Sequence, residues 1–162
     1  MLVVSAILTG LLVISQQANE AIADEKVASA EPTCDHTLTV EIARSENSKK
    51  SRKGQFVISL FTDEKTFLKA PLATQFILAN TQPLQVEFAN LCSGAYALSG
   101  YHDQNSDGKL NTNFLGIPKE AAGFSNGARG RFGPAKFDQA KFEIMGESSA
   151  QLLPIGKIKK AK

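Results

Sequence analysis

The chain has 162 residues, a formal net charge of +2, two cysteines, two tyrosines and no tryptophan. After removal of an N-terminal leader this length supplies one domain with room for a sizeable core. The mild charge excludes an electrostatic nucleic-acid binder, and the scarcity of Trp and Tyr argues against a stacking platform for sugars.

Residues 2–14 form an apolar run broken only by Ser5, Thr9 and Gly10. A membrane-spanning helix needs about 20 apolar residues, so the run is short for a span and suits a signal peptide. Ala21-Ile22-Ala23 provides a small-x-small cleavage site, and Ala28-Ser29-Ala30 a second. No Lys or Arg precedes the run, which keeps a retained N-terminal anchor as the alternative. Residues 1–23 are therefore read as a signal peptide, 24–33 as a polar linker, 34–157 as the folded domain and 158–162 as a basic tail. The expected location is periplasmic or secreted, with no transmembrane span after processing.

From Thr37 the pattern has period two. Leu38, Val40 and Ile42 alternate with Thr37, Thr39 and Glu41, which predicts a strand with one buried face. Residues 55–61 repeat the pattern through Phe56, Ile58 and Leu60. Between them lies a polar connection carrying Lys49, Lys50, Arg52 and Lys53, read as a solvated hairpin loop, with contact to an anionic cell surface or polymer as the alternative. Further strands are predicted at 72–79, 84–88, 95–101, 140–145 and 150–155, with a short helical turn near Phe67. About seven short strands and no amphipathic helix predict an all-β chain, an antiparallel β-sandwich of the transthyretin-like or immunoglobulin-like kind. Cys34 and Cys92 are an even pair in an exported chain, so a disulfide is expected. A reactive or metal-binding thiol is the alternative, although neither cysteine lies in a CxxC or directly beside a His.

Residues 103–136 interrupt the strands and hold six of the twelve glycines. So long an excursion without strands of its own is expected either to carry a function or to be disordered. Phe114, Leu115, Ile117, Phe124 and Phe132 favour a loop packed on the sandwich, with a pocket wall as the alternative. Its opening, Asp103-Gln104-Asn105-Ser106-Asp107-Gly108-Lys109, has oxygen-bearing side chains at alternate positions before a glycine. That spacing wraps a short loop around a hard cation, with the Lys109 carbonyl continuing the curve. Phe114 stands where a calcium loop usually places its closing Glu. Glu120 is the replacement expected, with Asn111 acting through water. The cofactor suggested is calcium, weakly held. A metal-free turn built on Asp and Asn is the competing reading, because Gly108 serves both.

His102 beside Asp103 invites a small metal-assisted hydrolase using His102 and the loop carboxylates, with Ser125 as a conceivable third member. No Gly-x-Ser-x-Gly elbow supports it, and strand neighbours point to opposite faces, so His102 is expected as a partly exposed strand-end residue and no catalytic residue is assigned. Arg129 and Arg131 among glycines resemble a phosphate cradle without the strand–loop–helix setting one needs. The surface proposed for contact comprises His102, Phe114, Phe124, Ser125, Asn126, Arg129 and Arg131. Its partner is unidentified, either an envelope component or another protein.

The string His102-Asp103-x-Asn105-x-Asp107-Gly108-Lys109-Leu110, then Asn113-Phe114-Leu115-Gly116-Ile117-Pro118-Lys119-Glu120, Gly123-Phe124-Ser125-Asn126 and Phe132-Gly133-Pro134, resembles the bacterial exported family called domain of unknown function 2141. Gly94-x-Tyr96-Ala97 fits as well. The resemblance implies a compact exported β-sandwich and brings no established activity. Asn111 stands where that family often has Asp, and Ala121-Ala122 where a Gly-aromatic pair is usual.

Overall fold

A computed structural model describes residues 34–44, 52–131 and 133–157. The signal-peptide and linker readings, Lys49 and Lys50, Phe132 and the basic tail lie outside the described residues. Eight strands follow one another as β1 (His36–Arg44), β2 (Gln55–Phe61), β3 (Ala73–Leu78), β4 (Gln85–Leu91), β5 (Gly94–Asp103), β6 (Ala122–Phe124), β7 (Phe142–Ile144) and β8 (Ser148–Ile155). One sheet has the order β4-β1-β8, and the other β3-β2-β5-β6, with β7 also pairing β5.

The period-two pattern becomes the core directly. Leu38, Val40 and Ile42 from β1 meet Val86 and Phe88 from β4 and Leu153 and Ile155 from β8. Opposite them stand Phe56, Ile58 and Leu60 of β2 and Tyr96 and Leu98 of β5, in the same buried cluster. The two sheets thus form the expected β-sandwich. Gly100 shows how closely they pack, since a Cβ there would lie 2.8 Å from both Ile58 Cδ1 and Leu153 Cδ2. A disulfide joins Cys34 to Cys92, tying the start of β1 to the link between β4 and β5. Beside it, His36 Nε2 lies 2.7 Å from Ser93 Oγ.

Three features depart from the sequence-based expectation. β8 pairs with β1 in parallel, whereas the rest of the ladder is antiparallel. Alternation of apolar residues fixes which face is buried and carries no information on strand direction. A parallel neighbour needs only a long enough connection, and here residues 45–147 lie between the two strands. Second, the 103–136 excursion does contain a strand. β6 pairs with β5 and is bonded to the far end of β8, Ala122 N–H donating to Gly156 O at 3.0 Å and Gly156 N–H to Ala122 O at 3.2 Å. Third, the predicted strand at 140–145 starts with a helical turn, α1 (Phe137–Ala140), and only Phe142–Ile144 is extended.

The latter half of the excursion caps the outer face of the second sheet. Phe61, Phe67, Ala97, Phe137 and Ala140 form a second buried cluster, with Phe124 and Ala128 packed against it. Phe67 meets Phe61 edge-on at 5.2 Å and Phe137 at 5.7 Å. Ser125, at the head of a 3-10 turn over Ser125–Gly127, bolts this cap down. Its hydroxyl donates to Ala140 O at 2.5 Å and accepts the Leu98 N–H at 2.9 Å, with no exposure to solvent. Ser125→Ala strands both backbone groups, which costs about 2 kcal/mol. The expected result is a lower denaturation midpoint in urea with the slope unchanged.

Candidate functional site

The sandwich delivers Asp103 to the end of β5 opposite Gln55 at the start of β2. Both side chains lie on the outer side of the second sheet, and Gln55 Nε2 donates to Asp103 Oδ2 at 3.0 Å. Residue 102 necessarily faces the other way. His102 is fully buried, stacked on Phe56 at a centroid distance of 4.6 Å, with Nε2 2.9 Å from Lys53 O. The carbonyl can only accept, so Nε2 carries a proton, and Nδ1 has no hydrogen-bond partner among the described residues. The expected exposed strand-end position is therefore corrected. His102 is a core residue and shares no hydrogen bond with the loop carboxylates or with Ser125.

Residues 103–120 fold around three carboxylates with distinct roles. Asp103 is fully buried; its Oδ1 accepts the Asp107 N–H at 3.2 Å and its Oδ2 the Gly108 N–H at 2.8 Å. Burial pushes its pKa up, but hydrogen bonds from Gln55 and from the Gly108, Asp107 and Ser106 backbone outweigh this and hold it below the usual carboxylate range. Glu120, also buried, fastens the loop's two ends: Oε1 accepts the Gln104 N–H at 3.0 Å and Oε2 the Asn111 N–H at 2.9 Å. The negative charges of Asp103 and Glu120 are thus met without a cation. Backbone N–H groups supply the compensating positive ends.

Asp107 is the exposed member. Its Oδ1 accepts the Lys109 N–H at 2.9 Å, and its Oδ2 accepts from Asn105 Nδ2 at 2.9 Å and Asn111 Nδ2 at 3.1 Å. Those side-chain amides, Asn111 first and then Asn105, hold its carboxyl below the usual range, with the Lys109 N–H adding to them. Asn111 Nδ2 also lies 3.4 Å from both Asn105 Oδ1 and the Lys109 carbonyl. Three oxygens therefore converge on one amide nitrogen. The two ends of an Asn amide exchange by rotation, so the Asn111 oxygen can stand beside these three.

That donor set consists of hard oxygens, which suits calcium and not zinc. Only one carboxylate, Asp107, reaches the convergence point. Among the described residues no group of three His, Cys, Asp or Glu side chains gathers closely enough to hold a metal. The field is nevertheless negative. Tyr101, whose hydroxyl donates to Gly108 O at 2.9 Å, has its pKa raised first by burial and then by Asp103, Glu120 and Asp107.

The remaining candidates separate. Phe124 is partly buried against the aromatic cap, and Ser125 is wholly internal, so neither forms part of an open surface. Asn126 turns the chain with φ 58° and donates from Nδ2 to Lys141 O at 2.8 Å. Arg129 and Arg131 are exposed on the segment that follows, and no helix begins there to cradle a phosphate. Phe114 does not pack on the sandwich as expected. It is 94% exposed, with Leu115 61% exposed beside it. Sequence reading missed Gln55, Tyr101 and Asn113, all of which shape the loop. Only strand register reveals the first two, whereas Asn113 three residues before Gly116 is a turn signal legible in the chain itself.

No curated protein sequence matches the chain. Among solved structures, a pilus-presented adhesin, Spy0125 (Cpa), is similar at 12% identity and a TM-score of 0.35; the match covers 76% of this chain and 28% of the adhesin. Among the described residues no helix is long and apolar enough to cross a membrane. The family model described as "Uncharacterized protein conserved in bacteria (DUF2141)" matches residues 46–151, which takes in six of the eight strands' full length and the entire 103–120 loop, and the chain belongs to that family.

Proposed function

We propose that this protein is a non-enzymatic, exported β-sandwich whose 103–120 loop binds calcium weakly and presents a contact surface within the cell envelope. The observation that carries the calcium reading is the convergence of Asn105 Oδ1, Asp107 Oδ2 and the Lys109 carbonyl on the Asn111 amide. In this reading a cation displaces the Asn111 amide from among these oxygens, and the Asn111 side chain swings aside to offer its own oxygen. Asp103 and Glu120 act one step back, holding the backbone in the curve that the ligands need. A single exposed carboxylate at the centre sets the affinity low, at a Kd on the order of 1 mM, as in extracellular modules. Export is supported by the apolar run at residues 2–14 and by the Cys34–Cys92 disulfide, a bond that persists in oxidising compartments.

The hydrolase alternative has no such support, because His102 lies in the core and Asp103 faces outward. Thermal unfolding tests the calcium reading. At 10 mM calcium and that Kd, binding contributes about 1.4 kcal/mol, a rise in Tm of roughly 5 °C that chelator reverses and magnesium does not reproduce. Asp107→Ala is expected to abolish the rise. A rise that survives in Asp107→Ala would move the site elsewhere, and none in the native protein would refute it.

A further inference from the structure

Large apolar side chains seldom stand as far from the core as Phe114 and Leu115, and here the backbone beneath them is fully organised. Thr112 and Pro118 form an antiparallel bridge. Asn113 N–H donates to Ile117 O and Gly116 N–H to Asn113 O, both at 2.9 Å. Asn113 Oδ1 accepts the N–H of Leu115 at 2.9 Å and of Ile117 at 3.0 Å. One rung lower, Lys119 N–H donates to Asn111 O at 2.8 Å. The result is a preformed hairpin tip that loses little conformational freedom when it meets a partner.

Beyond Asp107, whose carboxylate is engaged by the Asn105 and Asn111 amides and the Lys109 N–H, the charges on the hairpin itself have one sign. From Gly108 to Lys119 there is no acidic residue, and exposed Lys109 and Lys119 stand five positions before and five after Phe114. Glu120, which ends the segment, keeps both oxygens on backbone N–H groups. Lys119 sits on the third rung from the apex, roughly 7–10 Å behind Phe114 at about 3.3 Å per residue. Interfacial apolar groups enter a bilayer to about that depth, which leaves a cation placed as Lys119 is level with the phosphates. A pocket on another protein would accept Phe114 but gives no reason for two flanking cations. A plane of negative charge over an apolar interior gives one.

We infer that residues 109–119 insert into the surface of an anionic phospholipid bilayer, with Phe114 and Leu115 at the acyl boundary and Lys109 and Lys119 on lipid phosphates. This deepens the proposed function and rests on the loop as its contact surface. It does not require the cation, because the hydrogen bonds shaping the tip involve none.

Sedimentation with vesicles tests it, using phosphatidylcholine alone against phosphatidylcholine with roughly 30% phosphatidylglycerol. Every variant carries the same N-terminus, so differences between variants isolate the tip. The native protein should prefer the anionic vesicles by about tenfold or more, and less so as salt screens the lysines. Phe114→Ala should weaken partitioning by roughly tenfold with an unaltered melting temperature. Lys109→Gln with Lys119→Gln should remove most of the anionic preference, again by about tenfold or more. Partitioning should persist in chelator. Equal partitioning of native protein and Phe114→Ala would overturn the inference. So would binding that chelator abolishes, which would assign the lipid contact to the metal, or Phe114-dependent self-association in vesicle-free solution, which would assign the tip to a second copy. A calcium-induced rise in Tm without vesicle binding would defeat this inference alone, and vesicle binding without that rise would defeat only the calcium reading.

Discussion

Cys92→Ser, or reduction of the native protein, is expected to lower the unfolding free energy by about 4 kcal/mol. The disulfide spans a sequence separation of 58 residues, and a cross-link of that length removes much of the freedom of the unfolded chain. Its position magnifies the local effect. Cys34 precedes β1, the central strand of the three-stranded sheet, and Cys92 sits where the chain leaves β4 for β5 in the other sheet. One bond therefore constrains both layers. Urea unfolding with and without reductant measures the difference. A shift under 1 kcal/mol would mean that the unfolded state is already compact around this pair.

The second large effect is expected at Asp103. Asp103→Ala removes the acceptor for Gln55 Nε2 and for the Asp107 and Gly108 N–H groups at a site closed to solvent. Hydrogen bonds to a charged group contribute about 1.5–3 kcal/mol each, but the loop can open and hydrate the freed donors, so the loss is expected near 3 kcal/mol. Amide exchange should rise most at Asp107 and Gly108, with the β1 and β2 amides slowed as before. Acid should produce a related change in the native protein. Because the folded pKa of Asp103 is depressed, its contribution is present above the unfolded value of about 3.9 and is lost as pH falls through the lower folded value. Asp103→Asn should flatten the acid limb of the stability profile while keeping the side chain's shape. An acid limb that is unchanged in Asp103→Asn would place the responsible carboxylate elsewhere.

The Asp103 effect bears on the proposed function through the loop it anchors. The 103–120 loop is held at its base by Asp103 and Glu120, which leaves Asp107, Asn105 and Asn111 grouped above and the Phe114 tip beyond. Buried carboxylates shape the loop, and in the proposed reading the exposed groups meet ions and surfaces. The two tasks fall on different residues, so loosening the base should weaken calcium response and membrane contact together, whereas Asp107→Ala or Phe114→Ala should affect one each.

Much of this was legible in the chain. Alternation at Leu38, Val40 and Ile42, and again at Phe56, Ile58 and Leu60, determined two central strands and their buried faces, because period two admits no other regular structure. The acidic, glycine-bearing spacing from Asp103 to Gly108 determined a tight, carboxylate-centred turn, since its own backbone N–H groups are within reach of its own side chains. Only the tertiary structure decided the rest. The parallel pairing of β1 with β8, the burial of His102, the Gln55–Asp103 contact and the cap built by Ser125 join residues distant in sequence. Local pattern records which side of a strand is apolar; it does not record which strand lies alongside, in what direction, or what arrives from elsewhere to cover a face.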